Sequence, residues 1–372
     1  MGVVGAVSEI STYCVVSAVL TAAVCCYAQV FGAHGQLMAR PDGDRRLHER
    51  DTPLIGGLAV FVPVFAVSLI YMTFHAHEFY MQVAIIASAV MLIVGVLDDR
   101  LGVSPVWRLV ALTFISFVVF SVEPLFVLYS FHFWIFHVNS VIQLAPFAAP
   151  ITALMIVGFV NATNMADGMN GVLLGSVLIW SAFIIVHLPL DAAVPFIALI
   201  CSTAVALVFN LRGKLFSGSA GAYAASLFIA LGAIAAYRQS FPILYAQTPL
   251  FWFWLPVLDC LRLFVTRMLH GKSPFAGDRN HFHHMLLDVM RARYVLPIYL
   301  VLLGAPGAFA EIGEHWGKIA LLGCTTIYGA IVVWRTVRRR QAMTAVLGIQ
   351  RPSEFDRINA TAQIAVTIVP GE

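Results

Sequence analysis

Asn161-Ala162-Thr163-Asn164-Met165-Ala166-Asp167-Gly168-Met169-Asn170-Gly171 is a polar island in an apolar sequence. Ile151 to Val160 leads into it and Val172 to Val186 leads out, so three asparagines, an aspartate and two glycines stand between two hydrophobic helices. Uncompensated amides and a carboxylate are costly in hydrocarbon and normally face water, a partner or a ligand. The glycines permit tight turns and close approach of a ligand. Taken alone, the stretch fits a polar interhelical loop as well as it fits a site.

The surrounding chain settles the class. Its 372 residues are 60% hydrophobic and 11% charged, against roughly 25% charged for soluble domains, and its mean hydropathy is +0.87. This composition specifies an all-α polytopic integral membrane protein with little soluble mass. A span needs about 20 apolar residues. Such runs fall at 11–33, 54–73, 79–97, 106–128, 143–160, 171–187, 192–210, 220–237, 248–266, 294–310 and 316–334, about eleven helices. The first run lacks a basic flank and a small-residue cleavage site, so it is expected to be a retained helix rather than a signal peptide. Ser121 to Asn139 is ambiguous: Glu123-Pro124, two histidines and many aromatics suit either a surface loop with an interfacial aromatic segment or one extra span. The cysteines Cys14, Cys25, Cys26, Cys201, Cys260 and Cys324 all lie in apolar runs without metal-ligand spacing and read as small buried hydrophobes.

Orientation follows from the basic residues. With the N-terminus outside, the inner segments carry Arg40, Arg45, Arg46 and Arg50, then Arg100 and Arg108, then Arg212 and Lys214, six between Arg262 and Arg293, and six between Arg335 and Arg357. Only Arg238 and Lys318, of 22 lysines and arginines, fall outside. The positive-inside rule therefore predicts N-out and C-in, and an extra span at 121–139 would destroy that asymmetry downstream.

Four more polar islands lie on the same predicted side. Arg40-Pro41-Asp42-Gly43-Asp44-Arg45-Arg46-Leu47-His48 is either a charged turn at anionic headgroups or a basic patch for a phosphorylated ligand. Asp98-Asp99-Arg100 closes an apolar helix, where adjacent carboxylates oppose each other and the helix dipole. A divalent cation or a proton would relieve that, as would pairing with Arg100 at an exposed helix end. Asn210-Leu211-Arg212-Gly213-Lys214 runs through Ser217-Gly218-Ser219-Ala220-Gly221 into a helix whose first amides suit an anion, although small residues also serve close packing. In Lys272-Ser273-Pro274-Phe275-Ala276-Gly277-Asp278-Arg279-Asn280-His281-Phe282-His283-His284, three histidines within four positions suit zinc or, beside Arg279 and Lys272, phosphate oxygens. Just upstream, Asp259 and Arg262 have the spacing of a structural i,i+3 pair. No nucleic-acid motif and no P-loop occurs. Carboxylates and amides suit Mg²⁺, a hard ion commonly shared with phosphates. A combined metal and phosphate site at a membrane surface fits phosphoryl transfer between a soluble nucleotide and a lipid phosphate.

These islands, in this order, resemble the polyprenyl-phosphate N-acetylhexosamine-1-phosphate transferase family, glycosyltransferase family 4. The resemblance covers roughly Arg40 to Arg293 and is nearest to bacterial undecaprenyl-phosphate N-acetylglucosamine-1-phosphate transferases. It rests on Pro41-Asp42, Arg45-Arg46, His48, Thr52-Pro53 and Gly56-Gly57, on Asp98-Asp99, and on Asn161, Asn164, Asp167-Gly168 and Gly171. Gly218 and Gly221, Ser273-Pro274-Phe275, Asp278-Arg279 and His281-Phe282-His283-His284 complete it. It implies transfer of an N-acetylhexosamine-1-phosphate from a UDP-sugar to undecaprenyl phosphate, releasing UMP, with Mg²⁺ as cofactor and Mn²⁺ as the alternative. It implies that Asp98, Asp99 and Asp167 are catalytic. Asp98, Asp99, Asn164 and Asp167 would hold the metal, and Arg45, His48, Asn161, Asn164, Asn170, Asn210, Lys214, Arg279, His281, His283 and His284 would bind substrates. A transferase domain at 1–334 and a cytoplasmic tail with a basic start at 335–372 are expected, in the bacterial inner membrane with the site facing the cytoplasm; relatives suggest a homodimer.

Two positions depart from the family pattern. Asn170 stands where the family's Asp-Gly-x-Asp-Gly has its second acid, and still offers a ligand oxygen. Ser219 stands where Gly-Asp-x-Gly carries a metal-binding acid, and a neutral hydroxyl is a weaker Mg²⁺ ligand. A catalytically weakened or non-catalytic relative that binds nucleotide sugar or polyprenyl phosphate is the alternative. A transporter would place polar residues at mid-span in both halves of the bilayer, whereas here they gather at one face.

Overall fold

The computed structural model describes residues 3–39, 51–75, 78–135, 138–240, 244–273 and 280–346. The chain order begins with α1 (Val3–Cys26), α2 (Ala28–Gly35), β1 (Met38–Ala39), β2 (Thr52–Pro53), α3 (Gly56–His75), α4 (Phe79–Leu101) and α5 (Pro105–Val122). A 3₁₀ turn at Pro124–Phe126, β3 (Ser130–Ile135), β4 (Val138–Gln143), α6 (Ala148–Ala166), α7 (Val172–Val186), α8 (Leu190–Leu211) and α9 (Gly218–Gln239) follow. The chain continues through α10 (Gln247–Leu269), α11 (Phe282–Val289), α12 (Ala292–Ile312) and α13 (Glu314–Val346). Among the described residues, ten helices are long and apolar enough to cross a membrane. The eleventh expected span is α7, at 15 residues shorter than the others. Contacts divide the chain into two compact units, Met1–Cys324 and Thr325–Glu372. In the second, the Arg338 guanidinium lies 5.5 Å from the Trp334 ring centroid.

The first unit is built around α9. Every residue from Ala220 to Tyr237 is buried, and the helix packs chiefly on α4, with α3, α6 and α7 also against it. Its sequence is rich in alanine and glycine, which lets neighbouring backbones come close. Phe228 stacks on Phe196 of α8 at 4.5 Å between centroids. The closest approach is at the start of α9. A Cβ on Gly95 would lie 2.6 Å from the Ala220 nitrogen and 2.7 Å from the Ser219 carbonyl oxygen, so only glycine allows α4 to rest there. We expect Gly95→Val to separate these two helices and cost about 3 kcal/mol, the upper range for overpacking, read as a lowered Tm of the purified protein. On the adjoining side, the Gly56 and Gly57 amides donate to the Phe216 and Ser217 carbonyls at 2.8 and 3.0 Å. Thr52-Pro53 and Gly56-Gly57 thus anchor the turn that opens α9.

At the opposite end of the bundle, 121–139 is not an extra span. Its aromatic residues alternate with polar ones, and it forms the 3₁₀ turn and then the antiparallel hairpin β3–β4, Phe131 facing Ile142 and Phe133 facing Ser140. The hairpin is tied down by polar groups: the His132 amide donates to the Tyr237 hydroxyl at 2.9 Å. The Trp134 carbonyl accepts from Gln247 Nε2 at 3.1 Å and from Lys318 Nζ at 2.6 Å. Of the cysteines expected to be buried, Cys14, Cys25 and Cys324 are, Cys201 and Cys260 are half-buried, and Cys26 is exposed.

Candidate active site

Neighbours on one helix turn, Asp98 and Asp99 point to different partners, because successive helical side chains diverge by about 100°. Asp98 is buried. Its Oδ2 lies 3.2 Å from Arg108 Nη1 of α5 and accepts the Tyr223 hydroxyl of α9 at 2.9 Å; Arg108 also donates to that hydroxyl at 3.0 Å. Asp99 reaches the start of α9, accepting the Ser219 amide at 2.8 Å and the Ala220 amide at 3.1 Å. Ser217, the N-cap residue of α9, makes no side-chain cap. A carboxylate from α4 therefore satisfies amides that the α9 start leaves open and complements its dipole. Relief of the acidic pair comes from Arg108 and from this helix start. Arg100, the partner offered by sequence order, instead donates to Gln36 at 3.2 Å.

Asp167 follows the last turn of α6, half-buried and within electrostatic reach of Asp99. Burial, then the Asp99 charge, pushes its carboxyl up to about 7. Asn164 lies one turn earlier on α6, also half-buried, and Asn170 sits half-buried in the following turn. Asn161 is turned onto its own helix, its Nδ2 donating to the Val157 carbonyl at 2.7 Å. Asn210 commits both ends of its amide to backbone, accepting from the Gly171 amide at 2.6 Å and donating to the Leu215 carbonyl at 3.0 Å. It joins the α7 start to the α8–α9 turn. Lys214 is exposed, its Nζ 5.7 Å from the Phe209 ring centroid.

The histidines enter from α11. A Cβ on Gly168 would lie 2.5 Å from His283 Nε2 and 3.6 Å from His284 Nε2, so both imidazoles lie over the backbone next to Asp167. His283 is buried, and its Nε2 has no hydrogen-bond partner among the described residues. Burial, followed by the charges of His284 and His281, depresses its imidazolium to about 3, so it is neutral. A buried ring nitrogen without a partner is the mark of a ligand contact. Arg45, His48, Arg279 and Asp278 lie outside the described residues.

Asp167, whose carboxyl feels the Asp99 charge, and Asn164, one turn earlier on α6, offer oxygen donors on the same segment. Such a set fits Mg²⁺, which takes few protein ligands and completes its shell with water and phosphate. No group of three or more His, Cys, Asp or Glu able to hold a metal occurs among the described residues. Arg108 and Tyr223 escaped the sequence reading because only the packing of α4 against α5 and α9 brings them to Asp98.

The fold and this constellation define a polytopic helical membrane protein with carboxylates, amides and imidazoles gathered at one end of its bundle. Residues 81–237, the segment that carries Asp98, Asp99, Asn164, Asp167 and Ser219, match the profile of Glycosyl transferase family 4. Named relatives agree. A probable undecaprenyl-phosphate N-acetylglucosaminyl 1-phosphate transferase of Bacillus subtilis is 26% identical, over 69% of this chain and 72% of its own. The undecaprenyl-phosphate alpha-N-acetylglucosaminyl 1-phosphate transferase of Yersinia pestis is 28% identical over 79% and 84%. The decaprenyl-phosphate N-acetylglucosaminephosphotransferase of Mycobacterium leprae is 28% identical over 86% and 90%.

Proposed function

We propose that the protein transfers N-acetylglucosamine-1-phosphate from its UDP derivative to a polyprenyl phosphate, giving a lipid-linked diphospho-sugar and UMP. The observation that carries this reading is the unpartnered, buried His283 Nε2 lying over Gly168, next to Asp167, whose carboxyl is within electrostatic reach of Asp99. A lipid phosphate oxygen attacks the β-phosphorus, the bond from that phosphorus to the bridging oxygen breaks, and UMP leaves with the electron pair. The attacking phosphate is already ionised near neutral pH, so orientation and charge stabilisation matter more than proton removal. Mg²⁺ held by Asp99, Asp167 and Asn164 would neutralise charge on the reacting oxygens. The α9 amides keep Asp99 aimed, and neutral His283 donates to a phosphate oxygen without repelling the metal. Asn170, Lys214, His284, His281, Arg45, His48 and Arg279 complete the proposed substrate contacts. The distribution of basic residues supports an N-out orientation in a bacterial inner membrane, with this end of the bundle on the cytoplasmic side.

UMP release by the purified protein, given undecaprenyl phosphate, UDP-N-acetylglucosamine and a Mg²⁺ titration, tests the reading. Saturable, Mg²⁺-dependent release is expected. Release of no UMP by this chain, with release by its Ser219→Asp variant, would identify a binder that has lost turnover. In the active protein, Ser219→Asp adds a carboxylate beside Asp99 and should lower the Mg²⁺ concentration for half-maximal rate roughly tenfold, as expected for one more anionic ligand.

A further inference from the structure

We propose that Asp259 of α10, outside the segment matched to the family, is a positioning residue that presents the α11 imidazoles to the diphosphate of the nucleotide sugar. The inference rests on the transferase reading above. By spacing, Asp259 and Arg262 form a helix pair, and the pair is present, with Arg262 Nη2 2.7 Å and Nε 3.3 Å from Asp259 Oδ1. The other carboxylate oxygen does something that spacing does not show. Oδ2 accepts the Phe282 amide at 3.1 Å and lies 3.2 Å from His281 Nδ1. Arg262 Nη2 also donates to the Asn280 carbonyl at 2.6 Å. Three consecutive residues, Asn280, His281 and Phe282, are thus pinned by the ion pair of buried Asp259 with half-buried Arg262, where α11 begins.

The consequence passes along the rings. With Nδ1 directed at the carboxylate, His281 has only Nε2 left for a ligand, and its ring plane is fixed. The His281 and His283 rings are parallel, 7° apart in plane with centroids separated by 5.7 Å. His283 in turn lies against Gly168 with an unpartnered Nε2. Asp259 contacts none of the atoms proposed to react, so it acts through His281. An ion pair serving stability alone would need neither the Nδ1 contact nor the run of three pinned residues.

Asp259→Asn keeps the shape but offers one oxygen and one NH₂. Whichever way the amide turns, Arg262 or the His281–Phe282 side loses its acceptor. Steady-state kinetics of UMP release should show the KM for UDP-N-acetylglucosamine raised at least about tenfold, the usual cost of losing a group that orients a ligand-binding histidine. The KM for undecaprenyl phosphate should stay unchanged. In a His281→Ala background the same substitution should cost nothing further, because both act through one ring. Equal rises in both KM values, or full multiplication of the two effects, would overturn the proposal and leave Asp259 a purely structural residue. Should Asp259→Asn not fold, Arg262→Lys, which removes the fork but keeps the charge, carries the same test. If the unaltered protein releases no UMP, the transferase reading fails by itself. Calorimetric binding of UDP-N-acetylglucosamine to the same variants then decides on Asp259: weaker binding sustains it and unchanged binding overturns it.

Discussion

Asp167→Asn is expected to lower UMP release about a thousandfold, the scale on which a group that stabilises transition-state charge is lost, while the helical fold persists. The change is isosteric and removes the charge that, with Asp99, calls for a cation. The same charge predicts a pH dependence. Folded Asp167 titrates at about 7 against an ordinary value of 3.8, so between those values the folded protein holds a proton that the unfolded chain has released. Its contribution to stability is complete below about 3.8 and is lost as pH rises through about 7. Mg²⁺ reverses the balance by binding the ionised form. Added Mg²⁺ should therefore raise the Tm more at pH 8 than at pH 6, and the difference should vanish in Asp167→Asn.

Gly168→Ala is the second large effect expected, about a hundredfold in kcat/KM, comparable with a displacement of about 1 Å in a positioned group. Gly168 is exposed and its backbone is not left-handed, so alanine fits the local conformation. The new methyl would meet His283 Nε2 at 2.5 Å and Cε1 at 2.9 Å, and the imidazole must swing aside. A Tm unchanged within about 2 °C alongside the kinetic loss would place the fault in the His283 contact; a large fall in Tm would place it in packing.

Hydropathy made most of the fold legible, because a span must be long and apolar to exist at all. Even the short α7 stood out as a run at 171–187. The hairpin β3–β4 did not, since six-residue strands with mixed residues lack that length signal and are set by partners such as Tyr237 and Gln247. Around the acidic pair, residue types did not point to individual partners. Sequence order suggested Arg100 for the Asp98-Asp99 pair, whereas Arg108 and Tyr223 take Asp98 and the start of α9 takes Asp99. Asn210 drew attention as a polar residue in an apolar run, yet its amide bridges two backbone segments. Asp259 was readable as half of a helix pair, and its hold on His281 depends on a contact 22 positions away in sequence.

The burial of α9 bears on how the chain is made. The four helices that chiefly enclose it, α3, α4, α6 and α7, all precede it in the sequence, as does Phe196 on α8. During synthesis the residues of the socket are thus made before those of the plug. This alanine- and glycine-rich segment leaves the ribosome after the helices that enclose it. Its first turn also supplies the amides that Asp99 accepts, so the carboxylate has these partners only once α9 is made. A chain stopped before Gly218 would hold both Asp99 and Asp167 and still lack the part that aims the first of them.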